Sequence, residues 1–491
     1  MRMRRLWIAV AAVTASGAVW GIGDGPVITE HLDQARIEAG EVSFDALMDA
    51  CGKIFSAKFN QYDGQGRPAT TGGGAPRVAG SAPLFLRTSG PDSNSCAGCH
   101  NDPFPGAAGD VVANVFVLAQ TLDPVTESVS GQFSNERNTL GMHGSGPIEM
   151  LAREMTVDLH ATRDRLLATA DPQSGGSAVL FSKGVSFGRL QVDGDGNLDF
   201  SEVQGIDNDL VVKPFHQKGV VISLREFSNN AMNHHHGMQS TERFGEARTG
   251  TTDFDADGVV DELTVGDITA VTLWQAALGT PGQVLPTDSD ALRAVIVGER
   301  KFEANGCADC HLPTMRLSSR EFVEPNPYNP AGNLQSGDVS QSYRFDMTQQ
   351  GFGPFVEGIP GSGALVRAYT DLKRHNLCDD EIRHYCNEQV VQAGVGTEMF
   401  LTRKLWDVGN TAPYGHKGDL TTITEAIDVH GGEARASRDA YMALDQRSRD
   451  EIVEFLKSLQ ILPAGTASLV VDDKGRVVDA KHLAQLKRSI Q

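Results

Sequence analysis

The run CADCH at Cys307–His311 constrains this 491-residue chain more than any other stretch. A Cys-x-x-Cys-His run is the attachment site of a c-type haem, because each thiol can form a thioether with a haem vinyl group. The His that follows supplies an axial nitrogen to the iron. A second copy, CAGCH, stands at Cys96–His100. The sequence therefore predicts two covalently bound haem c groups, with His100 and His311 as iron ligands. The cysteines predicted to carry them are Cys96, Cys99, Cys307 and Cys310.

Two other interpretations of these runs are a zinc knuckle and a dithiol redox pair. A structural zinc needs four Cys or His ligands in one cluster, whereas the two runs lie in different halves of the chain. Of the remaining cysteines, Cys378 and Cys386 are close enough in sequence to form a disulfide, which an oxidising compartment permits. Cys51 is left over, and we expect it to be a buried thiol.

The N-terminus predicts export. Three arginines within Met1–Arg5 precede an apolar run, Leu6–Trp20, that is too short to span a bilayer. We expect a signal peptide at residues 1–20 and a periplasmic protein, with an uncleaved anchor as the alternative. No later segment is apolar enough for a stable membrane span. The formal charge of −20 argues against a nucleic-acid partner, because phosphate binding needs clustered Lys and Arg.

Two acidic loops have the spacing of calcium-binding EF-hand loops. The first is 191–202, where Gly196 is at the required sharp turn and Gln191 replaces the usual first Asp. The second begins at Asp253 and has Thr264 where a bidentate Glu is expected. The alternative for both is a solvated acidic turn. The candidate calcium ligands are Asp193, Asp195, Asn197, Asp199 and Glu202 in the first loop, and Asp253, Asp255 and Asp257 in the second.

Between these loops lie three successive histidines, His234–His236. Neighbouring side chains on a helix diverge by about 100°, so the three cannot all bind one metal. One of them could reach a haem edge, and the alternative is that they are ordinary core or surface residues.

Periodicity and capping residues predict the principal helices. We expect them at Ile28–Ala57, at Met150–Ala168 with Pro147 near its start, and at Thr422–His430. A helix at Ser448–Leu459 would begin with a Ser448/Glu451 capping box. A hairpin around Asp473 and a short basic helix would end the chain.

The segment 405–418 has the form L-x-x-x-G-x-T-x-P-Y-x-H-x-G. With the two haem-attachment runs, it resembles the bacterial di-haem cytochrome c peroxidases, a superfamily that includes MauG-type enzymes and di-haem oxidoreductases. The strings HGGEA at His430–Ala434 and FLKSL at Phe455–Leu459 are most similar to the di-haem oxidoreductase branch. The resemblance covers roughly residues 90–170 and 290–460.

The resemblance implies a sixth ligand for the second haem fourteen residues after His416, which is His430. The superfamily has Met or Tyr there, and a His implies bis-imidazole iron with a lower reduction potential than Met ligation gives. The alternative for His430 is a helix C-terminal cap. By the same resemblance, the carbonyls of Thr411 and Pro413 would hold a calcium ion between the haems, completed by an Asn such as Asn114.

The superfamily usually leaves the first haem open and places a Glu over it to act on peroxide. Glu149 matches that Glu best and Glu154 is second, while the alternative for Glu149 is an exposed acid in a first helical turn. His143 would be a second distal group or a sixth iron ligand. The superfamily also has a Trp between the haems, but residues 133–137 contain none. The sequence therefore does not identify the route by which electrons would pass between the haems.

Together these features predict a mainly α-helical protein with two cytochrome c-like haem domains and an inserted acidic-loop region. The predicted limits are 1–20 for the signal peptide, 21–175 and 288–463 for the haem domains, 176–287 for the insertion and 464–491 for a tail. We expect a periplasmic di-haem oxidoreductase that reduces hydrogen peroxide or a similar oxidant with electrons from a small periplasmic donor protein. The alternatives are a non-catalytic electron carrier and a MauG-like oxygenase or protein-modifying enzyme.

Overall fold

The computed structural model describes residues 23–65, 93–114, 136–388 and 391–490. The predicted signal peptide at residues 1–20 lies outside the described residues. The helices in the described parts are α1 (Gln34–Glu38), α2 (Phe44–Ser56), α3 (Ser145–Thr169), α4 (Leu224–Ala231), α5 (Thr241–Phe244), α6 (Glu246–Thr249), α7 (Val265–Ala276), α8 (Ser289–Ala304), α9 (Ile423–Asp428), α10 (Arg435–Met442), α11 (Gln446–Ser458) and α12 (Ala480–Ser489).

The helix boundaries follow local capping. The helix α3 begins after Gly144, whose φ of 70° suits glycine, and it has Pro147 in its first turn. The helix α9 begins with the capping box of Thr422 and Glu425. The capping box expected at Ser448 is replaced by an earlier start to α11, because the Asp445 side chain accepts a hydrogen bond from the Ser448 backbone N–H.

Short strands join the helices. They are β1 (Gly109–Asn114), β2 (Glu136–Thr139), β3 (Gly176–Ser182), β4 (Val185–Val192), β5 (Leu198–Asp199), β6 (Gly282–Leu285), β7 (Met315–Leu317), β8 (Glu321–Glu324), β9 (Tyr343–Asp346), β10 (Glu357–Gly358), β11 (Ala364–Val366), β12 (Arg374–Asn376), β13 (Met399–Leu401), β14 (Leu459–Gln460) and β15 (Val470–Asp472). The sheets that they form within the described residues have two or three strands each. The expectation of a mainly α-helical protein is therefore confirmed only in part.

The helix α7 lies at the centre of the larger hydrophobic core. It packs against α1, α2, α3 and α4, and nearly all of its residues are buried. Leu180 and Phe187 of the β3–β4 hairpin belong to the same core. Residues 176–287, predicted as an insertion, thus contribute directly to the packing around the first attachment run, and the proposed limits remain predictions.

A smaller hydrophobic cluster lies near the second attachment run. It is built from α8 and α11, with Phe302, Tyr441 and Phe455 buried at its centre. Cys307 and Ala308 pack against its edge. The predicted disulfide is present between Cys378 and Cys386.

The C-terminal tail follows its prediction. The strand β15 pairs in parallel with β6, an isolated bridge joins Val471 to Val477, and the helix α12 follows. In the described parts of the chain, none of the helices has the length and apolar character that crossing a membrane requires.

Candidate haem sites

The second attachment run forms a tight turn directly after α8. The 3-10 turn Cys307–Asp309 leads into His311, whose Nδ1 lies 3.1 Å from the carbonyl oxygens of Tyr369 and Arg403. Because a carbonyl oxygen can only accept, Nδ1 carries the proton and Nε2 keeps its lone pair for a metal. Burial, followed by the nearby His430, lowers the pKa of His311 to about 4, so the ring is neutral as ligation requires.

A cavity of about 380 Å³ opens above His311. Its lining includes both thiols of the run, and it also includes His430, His416 and Tyr385. Cofactor pockets in proteins usually measure about 300–1,000 Å³ and are mainly apolar. The volume, the thiols and the neutral imidazole all fit a covalently bound haem.

His430 lies in the same cavity, just beyond the end of α9. Its Nδ1 is 2.6 Å from the Ala426 carbonyl oxygen, which the imidazole N–H satisfies as a helix cap. The cap uses only one ring nitrogen, so capping and iron ligation through Nε2 are compatible. Burial lowers the pKa of His430, which keeps the ring neutral.

His416 is a second imidazole in this cavity. Both of its ring nitrogens are buried without a hydrogen-bond partner, and its ring centroid lies 4.9 Å from Phe400 and 5.5 Å from Tyr385. Burial and then Arg137 lower its pKa to about 3. Leaving two ring nitrogens buried without hydrogen-bond partners is costly. A cofactor bound in the cavity could supply a partner for His416.

The Thr411–Pro413 stretch meets the first half of the chain at Asn138. The Asn138 amide donates to the Pro413 carbonyl oxygen at 2.7 Å, while its Oδ1 is buried without a partner. Exchanging the amide oxygen and nitrogen would place two oxygens side by side, which is an arrangement that a calcium ion satisfies. Asn138 is therefore a better candidate for this position than Asn114, whose side chain lies outside the described residues.

The first attachment run repeats the geometry of the second. The turn Cys96–Gly98 leads into His100, whose Nδ1 lies 3.2 Å from the Ala107 carbonyl oxygen. Burial lowers the pKa of His100 to about 4. The described residues around it enclose a cavity of about 50 Å³. The His100 ring is thus prepared for ligation in the same way as that of His311.

One of the three successive histidines reaches the first attachment run. His236 Nε2 lies 3.3 Å from Cys96 Sγ, and its Nδ1 lies 2.6 Å from the Ser93 carbonyl oxygen. The three residues form part of a π-helical turn, Met232–His236, whose wider winding differs from the ordinary helical spacing.

Glu149 is fully buried and lies beyond the first turn of α3, so it is not the exposed first-turn acid of the alternative interpretation. Its carboxylate accepts hydrogen bonds from the Leu224 backbone N–H and the Asn326 side chain, both at 2.8 Å. Arg153 Nε lies 3.5 Å away. Burial raises the pKa of Glu149. Leu224 lines the first cavity, which places Glu149 directly behind the cavity wall.

The other two distal candidates have protein partners. His143 has Nδ1 3.0 Å from the Gly279 carbonyl oxygen and Nε2 3.2 Å from that of Pro105. Glu154 forms an ion pair with Lys183. Neither is among the described residues that line the first cavity.

His216 lines the first cavity and has no motif that would have identified it. Its Nδ1 is buried without a partner, and its φ of 67° is in the left-handed region, which is uncommon for a residue other than glycine. Burial and then Arg137 lower its pKa to about 3. The structure therefore adds a neutral imidazole to the first site.

The two cavities share a wall. Leu140, Gln217 and the segment Leu401–Lys404 line both of them. The backbone of this segment continues from β13 and accepts the His311 hydrogen bond at Arg403. Residues of one short segment thus face both candidate haem sites.

In both acidic loops the aspartate carboxylates accept hydrogen bonds from the backbone of their own loop. In the first, Asp193 closes the turn by accepting from the backbone N–H groups of Asp195 and Asn197 at 2.9 and 2.8 Å. In the second, Asp253 accepts from the N–H groups of Asp257 and Gly258 at 3.2 and 3.0 Å. Carboxylate oxygens of Asp253, Asp255 and Asp257 in the second loop also lie within 4.8 Å of one another. The second loop is therefore the better candidate for calcium, although the first matches the EF-hand spacing more completely.

Comparison with known proteins places the strongest similarity in the second site. Residues 361–459, which include His416 and His430, match the family described as "Di-haem oxidoreductase, putative peroxidase". No curated protein matches the chain. Hydrazine synthase of Kuenenia stuttgartiensis is 13% identical with a TM-score of 0.33, and the match covers 93% of this chain and 100% of that one. A MauG-like protein associated with microbial copper homeostasis is 13% identical with a TM-score of 0.25, covering 56% of this chain and 77% of that one.

Both structural similarities have TM-scores below 0.5 and support no functional assignment. Residues 361–459 of this chain are similar to the di-haem oxidoreductases, in agreement with the resemblance seen in the sequence.

Proposed function

We propose that this protein is a periplasmic di-haem c-type oxidoreductase that reduces hydrogen peroxide at its first haem and passes electrons there from its second. The observation that carries the proposal is the pair of attachment runs, each followed by a neutral His, at two cavities with a common wall. Haem iron would supply the one-electron chemistry, and the residues of the chain position it and move protons. The match of residues 361–459 to the di-haem oxidoreductase family supports the same function.

In the second site, His311 and His430 would be the axial ligands. Both rings are neutral and each has its Nδ1 on a backbone carbonyl oxygen, which fixes the ring orientation. Haem iron held by these two side chains would be suited to storing and passing electrons. The second site would therefore supply electrons from a small periplasmic donor protein.

In the first site, peroxide reduction needs a group that removes a proton from one peroxide oxygen and returns it to the departing one. We assign this step to Glu149, whose raised pKa suits a carboxyl that must exchange a proton near neutral pH. Its side chain would have to leave Leu224 to enter the cavity. His216 already lines the cavity with an unpartnered Nδ1 and is the rival for this role.

The test compares the rate of reaction with peroxide in three variants by stopped-flow absorption. General acid–base assistance is typically worth about 10²–10⁴ in rate, so Glu149→Gln should slow the reaction by that order. Glu154→Gln is the matched control on the same helix, and its rate should be normal because Glu154 is paired with Lys183. If His216→Leu reacts slowly with peroxide while Glu149→Gln reacts at the normal rate, His216 is the proton-transfer group. Normal rates in both variants would show that neither residue has this role.

A non-catalytic electron carrier is the second candidate, and His216 is the observation that favours it. An imidazole nitrogen without a partner in the first cavity could occupy the sixth position of the first iron. In that case the oxidised protein would show two low-spin six-coordinate haems and would not react with peroxide even after partial reduction.

Calcium would have a structural role in this proposal. The candidate sites are the carboxylates of Asp253, Asp255 and Asp257, and the carbonyl oxygens of Thr411 and Pro413 together with Asn138. The second of these lies between the two halves of the chain, so calcium there would hold the haem sites in a fixed relation.

A further inference from the structure

The wall between the two cavities contains two consecutive basic residues, Arg403 and Lys404. Lys404 is only 8% exposed, and Arg403 is partly buried. Both residues line both cavities. They are therefore cations held inside the protein at the place where the two haems would approach each other.

Neither side chain has a hydrogen bond or an ion pair with any described residue, and none of their nitrogens is fully enclosed by the described residues. Asp407 is the nearby acid, and it influences both groups electrostatically without an ion pair to either. Burial lowers the pKa of Lys404 to about 8 and also lowers that of Arg403. A largely buried cation is stabilised by an anionic partner, and Asp407 acts on these two only at a distance, so an anion in the cavities would stabilise both.

The backbone around them is well anchored. Thr402 N–H donates to the Lys373 carbonyl oxygen at 3.0 Å, and Leu405 N–H donates to that of Ala368 at 3.0 Å. The Arg403 carbonyl oxygen accepts from His311 Nδ1. The backbone of Arg403 and Lys404 is therefore fixed relative to His311, the proposed iron ligand.

We propose that Arg403 and Lys404 bind haem propionates at the shared wall of the two cavities. Haem carries two carboxylates, and a guanidinium or ammonium group pairs with a carboxylate through charge-assisted hydrogen bonds. The segment Leu401–Lys404 then contacts both cofactors and provides a short covalent route for electrons between them. This route replaces the Trp that the superfamily has and this chain lacks in residues 133–137.

The inference depends on the haem content of the proposed function but not on the reaction with peroxide. The test is a spectroelectrochemical titration of purified holoprotein that resolves the midpoint potentials of the two haems, with no peroxide present. A protein that fails to react with peroxide would still give both potentials, so failure of the two proposals can be told apart. Thioethers retain the haem even if a propionate contact is lost, so the variants should remain fully loaded.

Lys404→Met should lower the potential of at least one haem, because a nearby positive charge favours the reduced state, which is more negative. Arg403→Met should act in the same direction. A shift confined to the first or to the second haem identifies which cofactor supplies the carboxylate. Lys404→Arg keeps the charge and should leave both potentials close to those of the wild type.

Lys218→Met is the matched control for the loss of a buried cation. Its ammonium group already donates to the Thr397 carbonyl oxygen at 3.0 Å and lies 4.1 Å from the Phe400 ring centroid. Its removal should shift the potentials less than that of Lys404. Unchanged potentials in both Lys404→Met and Arg403→Met would overturn the proposal. It would also be overturned if Lys404→Met shifted the potentials no more than Lys218→Met does, or no more than Lys404→Arg does.

Discussion

Single nitrogen atoms determine what each histidine in the two cavities can do. His311 and His100 donate Nδ1–H to backbone carbonyl oxygens, which leaves Nε2 for iron. His430 has the same arrangement, with the Ala426 carbonyl oxygen as its partner. His143 lies near carbonyl oxygens through both nitrogens, which makes it a poor iron ligand. Ligand assignment therefore depends on the second hydrogen bond of each ring as much as on its position.

The ligand role of His430 is tested by His430→Met. If His430 binds the second iron, Met should raise the potential of that haem, within the roughly 0.8 V range that axial ligands cover. The measurement is the midpoint potential together with the low-spin absorption spectrum.

His416→Phe is the control for that experiment, because His416 lies in the same cavity with both nitrogens unpartnered. We expect its spectrum and potential to stay close to those of the wild type. An effect of His416→Phe together with none of His430→Met would show that His416 is the ligand.

The sequence could predict residues that belong to a motif with fixed spacing, but not those that reach a site through the fold alone. His311 and His430 are found by counting along the chain. His216 and Asn138 have no such spacing, because each meets its site through contacts between residues far apart in sequence. Glu149 could be identified from its motif, whereas its complete burial behind Leu224 could not.

At the scale of elements, the EF-hand residue spacing favours one acidic loop as the calcium site, and the grouping of carboxylates in space favours the other. The loop 191–202 matches the EF-hand pattern better, and Asp193 and Asp253 each accept two backbone hydrogen bonds within their own loops. The loop beginning at Asp253 gathers three carboxylates. Similarly, α11 begins before the predicted Ser448 because Asp445 supplies a cap. Local hydrogen bonding decides such cases, and it depends on backbone geometry that spacing does not specify.

Calcium binding by the second loop predicts that the thermal stability depends on calcium. A ligand present at a hundredfold its dissociation constant stabilises the folded state by about 2.7 kcal/mol. Chelation should therefore lower the melting temperature, and Asp255→Asn should remove most of that dependence.

Asp195→Asn in the first loop is the matched control, and it should retain the dependence on calcium. If the chelator lowers the melting temperature of Asp255→Asn as much as that of the wild type, the second loop is not the calcium site.

At the scale of the whole molecule, the two attachment runs stand in different halves of the chain but lead to cavities with a common wall. The helix α7 and the β3–β4 hairpin fill the core beside the first site, although the sequence predicted their region as an insertion. Hydrophobic patterns predicted individual helices but not which of them share a core, because packing between distant segments leaves no local pattern. The proximity of the two sites follows from that packing.

The central claim is that the two runs carry two covalent haems, and the intact mass of the full-length protein isolated from the periplasm tests it most directly. The account predicts two haem groups in the wild type, and one in each of the double variants Cys96→Ala/Cys99→Ala and Cys307→Ala/Cys310→Ala. The remaining haem in each variant should stay attached under denaturing conditions, because thioethers are covalent. A wild-type mass with one haem or none, or zinc in place of iron, would contradict the account.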